Sequence, residues 1–468
     1  MVPGASAFAV TDTLQANSSN ITSFLIDTIL VRILYGEPML SRFMLMLTLV
    51  LAGEVVYMLP FGLTRFFRPS LLEAFSITNT QLGDVFAVYG VMAAIAYFPG
   101  GALADRFSAR FLLSVSLIAT GLGGLYLATY PGIFGLALLF GYWGITTILL
   151  FWSALVRATR EWGGDDAQGR AFGILEGGRG VVAVLLATAG VAMFAIFMPD
   201  DVLAVSDEGR RAALREVILL YSGTTMATGV LAWLVIPRAK HIGDTGRSLF
   251  KGAVAVLNRP LVWAQAGIII CAYCGYKGLD NYSLYAVQVL GMNEVEGAKL
   301  AAIGVYVRPF AAVAAGLLAD RWSAAGTLRV AFAVSLVSYV ALALVSPDGA
   351  FLFVIYGNLF LSFFAVFALR GVYFALLQEN AVPPFLTGAV AGTVSFVGYT
   401  PEIFFGPITG RILDANPGAV GFQHYFLFLA VCSAIGIAVV GYLLRLQRSG
   451  SEGRWPTEST LMRMTTTK

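Results

Sequence analysis

Gly100-Gly101-Ala102-Leu103-Ala104-Asp105-Arg106-Phe107-Ser108-Ala109-Arg110 decides how the rest of the chain is read, because an altered copy, Gly316-Leu317-Leu318-Ala319-Asp320-Arg321-Trp322-Ser323, returns 215 positions later. In each copy a glycine closes an apolar run of membrane-spanning length, and an Asp-Arg pair follows where the run should meet water. A motif recurring in that setting predicts two related halves.

The composition around it sets the class. With 468 residues, 58% hydrophobic, 12% charged and a mean hydropathy of +0.79, the chain has too little polar side chain to cover a soluble globule. A polytopic membrane protein, with the lipid bilayer as its first partner, is the class that fits. The net charge of +3 is small and its basic residues sit in short connections, so no nucleic-acid partner is expected. Cys271 and Cys274 have C-x-x-C spacing, but no second Cys or His pair accompanies them; with Cys432 they read as small packing residues, and neither a metal nor a cofactor is expected. The N-terminus lacks the layout of a signal peptide, and Ile21–Leu34 reads as a short amphipathic segment in a tail.

Twelve apolar runs follow, at about 42–66, 82–104, 109–129, 132–156, 169–198, 215–236, 261–288, 297–319, 327–346, 350–377, 386–412 and 423–445. Each is long enough to cross the hydrocarbon core as helix, the conformation that satisfies every backbone N–H within the segment. Arg106, Arg110, Arg157, Arg160, Arg170, Arg238, Lys240, Arg247, Lys251, Arg259, Arg321 and Arg329 fall in connections on one side, and Arg445 and Arg448 join them beyond span twelve. The positive-inside rule then places both termini in the cytoplasm. Positions 237–260 read as a cytoplasmic linker between a six-helix bundle at 41–236 and another at 261–446, with tails at 1–40 and 447–468. Gly169 and Gly173 recur as Gly388 and Gly392, opening the fifth helix of each half.

Six plus six helices, Gly-x-Leu-Ala-Asp-Arg after the second and its echo after the eighth resemble the major facilitator superfamily, over essentially positions 40–446. One departure is that Ser108 and Ala109 stand before Arg110, where the family pattern has a glycine and then a basic residue. The resemblance implies an all-α membrane fold of twelve transmembrane helices in two pseudo-symmetric six-helix bundles. Gly62-Leu-Thr-Arg-Phe-Phe-Arg-Pro-Ser-Leu71 is similar to the segment that carries a substrate-binding arginine in organophosphate:phosphate antiporters, which puts Arg65 in an anion-binding role. The layout also resembles uncharacterised bacterial inner-membrane carriers of the YihN type, so a cell inner membrane location is implied.

Ionisable residues inside the spans are costly unless they face water or one another, and they carry the chemistry. Those inside or near the spans are Glu54, Arg65, Glu176, Arg179, Lys277, Asp280, Arg308, Arg370 and Glu402. Arg65 and Lys277 occupy comparable places in the first helix of each half, so they either grip an anion from opposite walls, or Arg65 snorkels to headgroups and Lys277 neutralises Asp280. Tyr273 and Tyr276 flank Lys277, as pathway lining or as packing. Arg308 divides equally between substrate contact and internal pairing, and Arg370 reads as a pairing residue at the inner gate. Glu176 and Arg179 have the spacing of a self-compensated pair, structural or opened during transport. Glu402 follows Pro401 with no basic residue within a turn of its own helix, and it is either a proton carrier or a hydrogen-bond partner of a neighbouring helix. Asp280 is a further acid assigned to proton coupling. Asp105 and Asp320 are expected to accept hydrogen bonds from helix N-termini while Arg106, Arg110 and Arg321 hold the inner gate.

No Gly-x-Ser-x-Gly, His-Glu-x-x-His or Gly-x-x-x-x-Gly-Lys occurs, and the histidines are His241 and His424 alone, so an enzyme is not expected. The expectation is a monomeric secondary transporter for a small organic anion, driven by symport with a proton. An anion exchanger of the organophosphate/phosphate or nitrate/nitrite type is the alternative, and a polytopic receptor is a third reading.

Overall fold

The computed structural model describes residues 38–164, 167–198, 206–237, 256–345, 352–449 and Trp455. The segment at 21–34, most of the 237–260 linker and nearly all of the C-terminal tail lie outside the described residues. Regular structure among the described residues is helical throughout, as backbone in hydrocarbon requires. The first half comprises α1 (Leu40–Phe66), α2 (Asn79–Arg106), α3 (Ala109–Leu127), α4 (Ile133–Gly163), α5 (Gln168–Phe197) and α6 (Asp207–Val235). The second comprises α7a (Pro260–Gly278), α7b (Tyr282–Gln288), α8 (Glu294–Arg321), α9 (Ala324–Leu344), α10 (Leu352–Val372), α11a (Pro384–Gly398), α11b (Pro401–Ala415) and α12 (Ala419–Ser449). Ile95, Leu185, Phe310 and Phe353 are exposed on the outer surface, where hydrocarbon rather than water is their favourable surrounding.

The repeat runs further than the opening motif. Thr78 caps α2 in a reciprocal capping box with Gln81, and Asn293 caps α8 in the same way with Glu296. The two caps lie 215 positions apart, the offset of the Asp-Arg motif.

Spans seven and eleven, expected as continuous helices, are each broken, the second at a proline and the first beside a contact from α12. Pro401 has no N–H to give the Val397 carbonyl, so the Thr400 hydroxyl donates to it instead at 2.7 Å. In span seven the helix changes to a short 3₁₀ turn at Leu279–Asn281, and the buried Tyr425 hydroxyl of α12 donates to the Gly278 carbonyl at 2.6 Å. Lys277, Asp280 and Glu402 all sit at these breaks. Among the described residues, ten helices are individually long and apolar enough to cross a membrane, and α7 and α11 complete the twelve passes as paired pieces. In α1, Pro60 lies within a π turn at Met58–Gly62, another local irregularity of the kind found at functional sites.

Arg106, Arg160 and Arg321 mark one end of the molecule, the basic end, opposite the far end. One hydrophobic core, from Met58 and Phe67 through Tyr282 to Phe426, runs across both halves toward the far end. At the basic end there are two separate cores instead, one confined to each half. The halves are joined at one end and parted at the other.

Polar contacts reinforce the far-end seal. The Asp414 carboxylate of α11b accepts from the backbone N–H groups of Asn79 (3.1 Å) and Thr80 (2.6 Å) and from the Asn79 amide, capping α2 from the opposite half. Arg411 pairs with Asp84 at 2.9 Å, and Glu294 accepts from Arg210 at 2.8 Å and from Ser70. Backbone approach between α2 and α11b is so close that a Cβ on Gly83 would collide with the Gly406 carbonyl, and one on Gly410 with the Asn79 carbonyl. Gly83→Val is therefore expected to wedge this seam apart. Spin labels on Glu73 and Ala419, one in each half, should move from a single short distance to a longer population.

Candidate functional site

A cavity of about 210 Å³ lies between the halves, closed toward the far end by the seam just described. Its charged lining comes from Glu54 and Arg65 of α1, Arg179 of α5, Arg308 of α8, Arg370 of α10 and Glu402 of α11b. Such a chamber has space for waters and a small solute.

Two ionic clusters occupy its walls. In the first, Arg179 pairs with Glu176 at 2.6 Å and with Glu54 at 3.3 Å, while Arg308 reaches Glu54 at 3.5 Å and Glu176 at 3.8 Å. This square joins α1 and α5 of one half to α8 of the other. Its tight member is Arg179; Arg308 holds the same carboxylates at longer range and is freer to turn toward a solute. Glu176 is the wettest of the four, with its side chain 54% exposed.

In the second cluster, Asp280 takes Arg65 at 2.7 Å and Lys277 at 2.8 Å, and Lys277 also reaches Glu402 at 3.3 Å. Tyr273 donates its hydroxyl to Glu402. Arg65 and Asp280 are 215 positions apart, so they hold the same place in the two halves and meet as opposite charges across the pseudo-symmetry axis. The Ser283 hydroxyl donates to the Arg65 carbonyl at 2.9 Å, tying α7b to α1 at the same level.

Arg370 differs from the other cations. No carboxylate pairs with it among the described residues, and its buried Nη1 has no hydrogen-bond partner there. Its guanidinium lies over the Tyr276 ring at 3.8 Å and near the Tyr273 ring at 5.7 Å, while Arg65 covers Tyr276 at 4.3 Å. Tyr276 is thus flanked by two arginines, an arrangement in which ring quadrupole partly replaces a counter-ion.

The structure brings eight of the nine in-span charges into mutual contact and sorts the sequence readings by geometry. Arg65 is 11% exposed in its side chain and turns inward, so it does not snorkel to headgroups. Lys277 is buried between Asp280, Glu402 and the rings of Phe61 and Phe86, and does not line the cavity. Glu402, which has no base near it on its own helix, gains Lys277 from α7a. That contact depends on helix packing and has no trace in local spacing. Arg370, expected to pair at the inner gate, is the cavity cation without a carboxylate partner among the described residues. At the basic end, Asp320 and Arg321 are exposed, and the N-terminus of α9 is capped by Glu379, which accepts from Ala324 N–H at 2.5 Å and Ala325 N–H at 3.2 Å, rather than by Asp320. Arg110 stacks over Trp233 at 4.6 Å, Asp105 is half-buried and Arg106 exposed. Cys271 and Cys274 are buried and unbridged, with Cys432 half-buried.

Several residues of the far-end seal carry no sequence signal: Asp84, Glu294, Arg411 and Asp414 lie near helix ends, where a charge reads as ordinary solvated surface. Buried Arg68, hydrogen-bonded to Asn79 at 3.1 Å, belongs to the same group.

Comparison with known proteins agrees with this architecture. Residues 50–405 match the family model described as Major Facilitator Superfamily. The chain is 29% identical to the inner membrane protein YihN of Escherichia coli over 85% of its own length and 93% of that protein's. It is 27% identical to the inner membrane protein YqcE of the same organism, over 79% and 87%. A probable nitrate/nitrite antiporter, NarK1 of Thermus thermophilus, is 23% identical over 59% of this chain and 61% of that one. Among solved structures, a bacterial homolog of the human lysosomal transporter Spinster, inward-facing and unoccupied, superposes with a TM-score of 0.64 at 17% identity, covering 87% of this chain and 96% of that one. The nucleoside transporter NupG gives 0.61 at 11% identity, covering 86% and 99%. Two pseudo-symmetric helical halves joined at one end around a charged cavity, together with the family match over most of the sequence, make this chain a multi-pass membrane transporter of the Major Facilitator Superfamily.

Proposed function

We propose that the protein moves a small organic anion by alternating access, as a monomer, with its basic end and both termini in the cytoplasm. The observation that carries the charge preference is Arg370, a cavity cation without a carboxylate among the described residues, which a solute anion would complete. The cavity is sealed at the far end and the halves part at the basic end, so the conformation is inward-facing on this orientation. Arg308, held at 3.5 Å and 3.8 Å by its acids, is the second cation available to the solute. Arg65 and Lys277 act as the closure of the outer gate through Asp280, and release it when the halves rock the other way.

Proton coupling is assigned to Glu402, which touches both the cavity and Lys277. Protonating it removes one of the two acids that hold Lys277, loosening the ion network that supports the outer gate. The alternative is anion exchange, of the kind that the probable nitrate/nitrite antiporter relative is named for. It is favoured by the observation that all four carboxylates are already engaged in ion pairs with Arg or Lys. Radiolabelled anion uptake into proteoliposomes separates the two. Under symport, an imposed pH gradient raises wild-type uptake several-fold, and Glu402→Gln abolishes that increase while retaining counterflow. Uptake indifferent to the gradient in the wild type establishes exchange, and transport of neutral or cationic solutes alone overturns the anion reading.

A further inference from the structure

The far-end seal is built with one polarity. At three levels a carboxylate of the second half sits on donors of the first: Asp414 on the N–H groups of Asn79 and Thr80, Asp280 on Arg65, and Glu294 on Arg210 and Ser70. Asp84, held by Arg411, is the exception, and its side chain is half exposed. When the halves part at this end, the second half carries three acids away and the first half keeps the donors.

Arg68 lies behind those donors. It is 3% exposed and pairs with no carboxylate among the described residues; the carboxylates whose fields reach it are Asp280 and Asp414, both of the second half. Its Nε donates to Asn79 Oδ1 at 3.1 Å, which fixes that amide with Nδ2 donating to Asp414 at 3.1 Å. The Asp414 carboxylate thus occupies a cradle of three N–H donors at the N-terminus of α2, backed by a buried guanidinium, and such a cradle suits any oxyanion group. Between Arg68 and Asp280 lies a second chamber of about 10 Å³, lined also by Lys277, Asn281 and Thr409 and about the size of one water. Polar groups therefore continue from the cap at Asn79 through Arg68 to Asp280 and Arg65.

We infer that Asp414 is a resident stand-in for cargo: in the conformation open at the far end, the carboxylate or phosphate group of an incoming anion takes its place on Asn79, Thr80 and Arg68, an entry site separate from Arg370. This rests on the anion-carrier reading above and names where the anion is first held. An anion in that position excludes Asp414, so the far end cannot reseal until the anion has moved on into the cavity.

Distances between spin labels on Glu73 and Ala419 of the full-length protein test this, recorded at neutral pH with sodium acetate or inorganic phosphate against sodium chloride at equal ionic strength. Acetate and phosphate are expected to raise the long-distance population in a saturable way, and chloride to leave it unchanged. Arg68→Gln should raise the half-effect concentration about tenfold or more, as removal of one partner of a buried charge contact does. Arg68→Lys should largely preserve the response, and Arg370→Gln should not alter it. Asp414→Ala keeps the test decisive should Arg68→Gln fail to fold: with the stand-in gone, acetate should raise its melting temperature more than that of the wild type. A response that depends on Arg370 and not on Arg68 overturns this inference and leaves the anion reading intact. No response to acetate or phosphate in either the wild type or Asp414→Ala also overturns it, and the anion reading then stands on the uptake assay. Transport of neutral or cationic solutes alone, with the Arg68 response intact, overturns the anion reading and with it the role of this site in cargo entry.

Discussion

Arg370→Gln is expected to lower affinity for the transported anion by about a hundredfold or more, in the range for removing one partner of a buried charge pair, while leaving expression and thermal stability close to wild type. The second half of that expectation is the diagnostic one. Arg370 holds no carboxylate among the described residues, so its neutralisation strands none, and Tyr276 keeps Arg65 on its ring. Arg179→Gln is the contrasting control. It takes the nearer of two cations from buried Glu54, and a buried carboxylate deprived of its partner costs up to about 3–5 kcal/mol. That variant should lose yield and melting temperature first and transport as a consequence. Equilibrium binding of the radiolabelled anion, with melting curves of both variants, checks the pair. If Arg370→Gln retained full affinity, the cargo would have to be held by Arg308 or by Arg65 released from Asp280.

Asp280→Asn is expected to displace the conformational equilibrium toward the state open at the far end. Asp280 holds one cation from each half, Arg65 at 2.7 Å and Lys277 at 2.8 Å, all three deeply placed. Removing its charge leaves two cations facing each other in the sealed conformation, at a cost of about 3 kcal/mol or more. The open conformation, in which Arg65 has already parted from Asp280, is penalised less. A difference of that size shifts the populations by a hundredfold or more. Spin labels at Glu73 and Ala419, on opposite halves of the far end, read it directly: the wild type should give the short distance and Asp280→Asn predominantly the long one. An unchanged distance distribution would mean that Asp414, Arg411 and the glycine seam keep the far end closed without this ion pair.

The two substitutions bear on different links of one chain. In the proposed cycle Arg370 meets the solute, while Asp280 holds a cation from each half. Lys277 and Glu402 lie between, so protonation at Glu402 would be transmitted to the far-end seal through a contact of 3.3 Å and then one of 2.8 Å. A solute on Arg370 would act on the same group through Tyr276, whose ring Arg65 also contacts. Coupling of cargo and gate on this proposal needs no long relay, since both contacts lead to Arg65.

The sequence alone was sufficient for the membrane class, the twelve passes, the duplication and the family, because bilayer length and backbone satisfaction act on every residue of a span and leave a pattern that local reading can find. It was also sufficient to name the nine in-span charges, since an ionisable group in hydrocarbon is conspicuous wherever it points. Only the tertiary structure decided who pairs with whom. Glu402 and Lys277 are 125 positions apart and Arg65 and Asp280 are 215 apart, and their contacts arise from how helices of different parts of the chain cross. For the same reason, Arg370 passes for a gate residue in the sequence and emerges in the fold as the cation left over. A charge's surplus is a property of the whole set of packed helices and of no single one.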